Sequence, residues 1–73
     1  MSKMAELDIE LRQVLRAVEE RVAQRDEWMD ENTDEEGEPT ISYSRWDEIM
    51  ADHAFAVADA GEALAIVVRK LIR

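Results

Sequence analysis

The sequence predicts an all-α protein: an antiparallel helical hairpin, with helices at about 3–30 and 45–72, that pairs with a second copy into a dimeric four-helix bundle. Three observations carry this. Apolar residues recur every three or four positions along two long segments, which is the period of an amphipathic helix. One cluster of chain-turning residues, around Gly37 and Pro39, separates the segments. The chain of 73 residues has no cysteine and reads as a single domain over 1–73. A chain this short buries only ~60% of the surface its unfolded form exposes, a shortfall that oligomerisation commonly makes up.

The first segment places Met4, Leu7, Leu11, Val14, Leu15, Val18 and Val22 on one stripe, while Glu6, Asp8, Glu10, Arg12, Arg16, Glu19 and Glu20 fill the other faces. Asp8 and Arg12 stand four apart with opposite charge, a favourable helical pair. Ser2 is the expected N-cap. The stripe loses its regularity after Val22, where Arg25 takes an apolar place, and Trp28 with Met29 restores it one turn later.

Residues 26–38 hold eight carboxylates, Asp26, Glu27, Asp30, Glu31, Asp34, Glu35, Glu36 and Glu38, and no base. Almost all of the net charge of −9 therefore sits in one stretch, and the rest of the chain is close to neutral. With Gly37 and Pro39 in it, the segment at about 31–44 reads as an acidic loop. Ile41 and Tyr43 are expected to tuck against the helices.

Ser44 followed by Asp47 has the spacing of a capping box and opens the second helix. From there Trp46, Met50, His53, Val57, Ala60, Leu64, Val67 and Leu71 form a heptad-like seam. Ala54, Ala58, Gly61, Ala65 and Val68 run beside it as a ridge of small side chains that admits another helix closely. A glycine inside a helix costs ~1 kcal/mol, so Gly61 either serves close packing or breaks the helix in two; one continuous helix is the expectation. The end of the segment, ALAIVVRKLIR, is apolar almost all round. One neighbouring helix covers one stripe only, so self-association through Trp46, Met50, His53, Val57, Ala60, Gly61, Leu64, Val67, Val68 and Leu71 is expected.

Composition excludes several function classes. Without cysteine there is neither a disulfide scaffold nor a thiolate zinc site, and the single histidine, His53, rules out a multi-histidine metal site. No membrane span is expected, because Asp59, Glu62, Arg69 and Lys70 bracket or interrupt the apolar run. The opening MSKMAELDIE lacks the apolar core of a signal peptide, so a cytoplasmic location is expected. A chain of this charge has no basic patch for direct contact with nucleic acid.

Two places have the residue types of a cation site. Asn32–Tyr43 has oxygen side chains at positions one, three and five and Gly37 at six, which is half of an EF-hand; Tyr43 stands where the bidentate glutamate belongs, so any calcium would be held weakly. Glu48, Asp52, Asp59 and Glu62 align along one face of the second helix and are the candidate ligands for magnesium or manganese. A solvated surface is the expectation for both, and no cofactor is assigned. His53 has no nucleophile near it in sequence, so no catalytic residue is assigned either.

The segment ERVAQRDEWMDEN, through Glu20, Arg21, Gln24, Trp28, Asp30 and Asn32, resembles a pattern of small bacteriophage proteins, some of them similar to the MazG-like all-α nucleoside triphosphate pyrophosphohydrolases. WDEIMADH resembles the helix that in this family carries two glutamates, with Asp52 and His53 at those places and Ala56 at a further acidic one. The resemblance covers about a third of the chain and implies a phage-like origin or a degenerate relative in which Asp59 and Glu62 are the surviving acidic pair.

The expected function is that of a non-enzymatic, homodimerising interaction module. The partner surface would comprise Trp28, Asp30, Glu31, Asp34, Glu35, Glu36 and Glu38, two of the strongest features of a contact to a basic protein being a large aromatic and concentrated charge. The alternatives are an acidic decoy inhibitor that occupies a basic, nucleic-acid-binding site on a host protein, and a magnesium-dependent nucleotide pyrophosphohydrolase relative.

Overall fold

Two segments of helical period produce two helices of equal length. The computed structural model describes residues 3–72, with α1 at Lys3–Glu31 and α2 at Tyr43–Leu71, 29 residues each. They pack as an antiparallel hairpin measuring 51 × 18 × 15 Å. The expected Ser2 cap lies outside the described residues.

Helix α1 ends against its own dipole, since Asp30 and Glu31 sit at its negative end and its last turn holds no base. Side chains beyond the helix compensate by donating to the last carbonyls. Asn32 Nδ2 donates to the Trp28 carbonyl at 2.8 Å and Thr33 Oγ1 to that of Met29 at 2.6 Å.

The connector is an ordered miniature hairpin. Thr33 and Pro39 form an antiparallel bridge, the Asp34 N–H donates to the Glu38 carbonyl at 2.8 Å and the Thr40 N–H to that of Asn32 at 2.8 Å. At its tip the Gly37 N–H donates to the Asp34 carbonyl at 3.1 Å, and Gly37 has φ +83°, a left-handed conformation that suits a residue without a Cβ. The Asp34 carboxylate accepts the N–H groups of both Glu36 and Glu38 at 2.9 Å. A run read from composition as a solvated loop is thus pinned by its own backbone.

Helix α2 starts two residues earlier than the sequence suggests. Ser42, with extended φ −61° and ψ 150°, is the N-cap, and its Oγ accepts the Arg45 N–H at 3.2 Å; Ser44 lies within the first turn. The box geometry expected of Ser44 and Asp47 is therefore absent. Tyr43 does not tuck inward: it is 65% exposed, and its hydroxyl donates to Glu38 Oε2 at 2.8 Å, which ties the helix start to the loop. At the other end Arg69 and Lys70 complement the dipole and the Ile72 N–H donates to the Val68 carbonyl at 3.1 Å. The helix is continuous through Gly61.

The seam at 46, 50, 53, 57, 60, 64, 67 and 71 turns toward α1 of the same chain, and all its members are half-buried or better. Leu7, Leu11, Val14, Val18 and Trp28 answer from α1. Burial is nonetheless shallow. Among the described residues Val67, 2% exposed, is the one fully buried side chain, worth roughly 1.5–3 kcal/mol. Ile66 and Ile72 remain 55% and 73% exposed, as expected for an apolar C-terminal turn that meets a single neighbour. The ion pairs Asp8–Arg12, Arg16–Glu20, Arg25–Asp26 and Glu10–Lys70 all join side chains that are at least 36% exposed and add at most ~1 kcal/mol each.

Candidate functional site

The antiparallel hairpin brings Trp28, near the end of α1, onto Trp46, near the start of α2. Their ring centroids are 4.8 Å apart at 50°, and His53, one heptad after Trp46, adds its ring 5.6 Å from Trp28 at 44°. The meeting of the two tryptophans is legible from their places at the two loop ends. The histidine contact is not, because it depends on the register between the helices. All three rings are half-buried, so they close the loop end of the core and leave an edge to solvent.

Above this aromatic cluster the six acidic residues expected to meet a partner fall into two groups. Asp34 holds the loop through its carboxylate and Glu38 accepts the Tyr43 hydroxyl, so both work within the connector. That same contact with Glu38, through its hydrogen bond first and its negative charge second, holds the Tyr43 phenol above the ordinary tyrosine range. Asp30, Glu31, Glu35 and Glu36 are exposed, and none of them has an ion-pair partner among the described residues. They form a compact negative tip on an ordered support.

The half EF-hand takes the shape of this miniature hairpin: Asn32 points its amide back to α1, Asp34 Oδ1 is engaged by backbone, and Tyr43 belongs to α2. Glu48, Asp52, Asp59 and Glu62 all face solvent along α2. Among the described residues no three His, Asp or Glu side chains are grouped as metal ligands. Phe55, in the same row, is 78% exposed and with Ala17, Arg21, Ala56, Asp59 and Ala60 lines an open groove of about 530 Å³ between the helices.

The residues expected to mediate self-association divide by position. Trp46, Met50, His53, Val57, Ala60, Leu64, Val67 and Leu71 contribute to the contact with α1, and Gly61 and Val68, equally half-buried, stand at its flank, with open space beside Gly61. No helix among the described residues is long and apolar enough to cross a membrane. No protein-family model matches the chain, and neither a curated protein nor a solved structure is significantly similar to it.

Proposed function

We propose that this chain acts by association, not by chemistry on a substrate: a helical hairpin that pairs with a second copy as a four-helix bundle and offers its remaining surface to another protein. One observation carries the reading. Two 29-residue helices enclose a single fully buried side chain among the described residues, while Met4, Ile9, Leu15, Phe55, Ile66 and Ile72 stay exposed. A pair of helices in contact along one stripe leaves apolar side chains in water that a second copy would cover. Light scattering on a size-exclusion column tests this directly. The expected mass is twice the 8.4 kDa of one chain, and a folded monomer at every concentration would defeat the reading.

A second reading, the acidic decoy, is favoured by the tip. Its four carboxylates without an ion-pair partner among the described residues, Asp30, Glu31, Glu35 and Glu36, are displayed on a backbone already fixed by Asp34 and Gly37, so binding a basic surface would cost little ordering entropy. The motif resemblance to small phage proteins suits either reading. Salt separates them: apolar pairing of chains that each carry −9 strengthens as salt screens their repulsion, whereas capture of a basic protein weakens. Neutral amides at the four tip positions should abolish binding to a basic protein and leave the dimer intact.

A further inference from the structure

The hairpin has two broad sides, and they are chemically unlike. One is marked by the Glu10–Lys70 contact, 3.5 Å across the helices, and by the groove that Arg21 and Asp59 line. The helical step of 100° per residue then places Leu15 of α1 and Ala54 of α2, both exposed, on the opposite side, bordered by the half-buried Leu11, Val22, Gly61 and Val68 at the edge of the helix contact. The path Leu11, Leu15, Val18, Val22 and the path Ala54, Ala58, Gly61, Ala65, Val68 run at spacings of three and four without a charged member, and the exposed Glu19 borders the first. Leu15 is 43% exposed there.

Gly61 leaves open space on this side. A Cβ built on it meets nothing within 4 Å, so packing against α1 does not need a glycine at this position. Nor does Gly61 break or cap a helix, since α2 runs straight through it to Leu71. The clearance it leaves is therefore unused within the chain and opens outward, where a closely approaching helix would use it.

Two dimensions set how much surface is unaccounted for. The chain exposes 5840 Å², about 1,200 Å² more than the ~4,600 Å² of a compact monomer of this mass. Its radius of gyration is 16.5 Å against ~11 Å for a compact domain of this length. An ordinary stable dimer buries about 800 Å² on each partner, which this excess covers.

Resting on the self-association proposed above, we infer that the occupant is a second copy presenting the same Leu15–Gly61 face across a two-fold axis, with the two acidic loops at opposite ends of the bundle. An identical apolar face satisfies an isologous contact, in which each surface meets itself. Charge sets the direction. The eight carboxylates of residues 26–38 cluster at one end of a molecule 51 Å long, and opposed loops keep the two clusters several screening lengths apart.

The test compares the wild-type chain with Gly61→Leu, Leu15→Glu and Phe55→Glu, the last lying away from this face. Molar mass and circular dichroism are read together. Gly61→Leu and Leu15→Glu should halve the mass of the dimer at micromolar protein, with helicity kept in Gly61→Leu, while Phe55→Glu leaves the mass unchanged. A wild-type dimer that survives both face variants overturns the assigned face but spares self-association; a wild-type monomer overturns both. Because the chain has no native cysteine, Glu35→Cys carries a single spin label at the loop tip. The labels should lie roughly 40 Å or more apart, about the length of one 29-residue helix, and a short separation would overturn the opposed arrangement.

Discussion

Trp28 and Trp46 meet at 4.8 Å between ring centroids, tilted by 50°, at the place where the chain leaves α1 and enters α2. This contact couples the two helices at the end where the acidic loop would otherwise push them apart. It also fixes His53, whose ring lies 5.6 Å from Trp28.

Trp28→Ala removes the ring shared by both contacts. The expected loss is about 2–3 kcal/mol, below the ~3–5 of a fully buried tryptophan because this one is half-buried. Urea unfolding followed by the fluorescence of the remaining Trp46 measures it, and an unchanged midpoint would contradict the packing.

Ser42 and Ser44 provide a matched pair. Ser42→Ala deletes the acceptor of the Arg45 N–H and should cost about 1 kcal/mol, whereas Ser44→Ala, inside the first turn, should cost a few tenths or less. Thermal unfolding of the two variants settles which serine caps α2.

Asp34→Ala should loosen the tip without unfolding the helices. Losing one carboxylate that accepts two backbone N–H groups costs about 1–2 kcal/mol locally, and faster hydrogen exchange at the Glu36 and Glu38 amides is the readout. Asp34→Asn, which keeps an acceptor oxygen, should retain much of the protection.

Tyr43 is the single tyrosine, so its ionisation can be followed by ultraviolet absorbance without ambiguity. Its midpoint should lie above the model-compound value of 10.0 and fall toward it in Glu38→Ala. The sign for stability follows from the raised folded value. The contribution is complete below pH 10 and disappears as pH rises through the folded pKa, so alkaline titration should release the loop from the start of α2.

Much of the fold is legible in the residues themselves. The spacing of Leu7, Leu11, Val14 and Val18, and of Trp46 through Leu71, specifies two helices and the faces they bury, because apolar side chains on a helix seek one neighbour. Gly37 and Pro39 announce the reversal, and the equal helix lengths imply the hairpin. The start of α2 is not legible, because Ser42 and Ser44 are equally good caps in isolation. The choice between them depends on where the miniature hairpin returns the chain, which Asp34 and Gly37 govern. The order of the acidic loop is hidden for a related reason: composition counts charges, whereas Asp34 is held by the direction of two N–H bonds.

What the sequence alone determines is periodicity and charge: two amphipathic helices, one acidic tip, and an apolar C-terminal segment. Tertiary structure alone decides the register, and with it which groups meet. It sets His53 against Trp28 and Lys70 against Glu10, and it leaves the space beside Gly61 open. Local pattern fixes the direction in which each side chain leaves its helix. Only the packing of one helix on the other fixes which side chains remain without a neighbour.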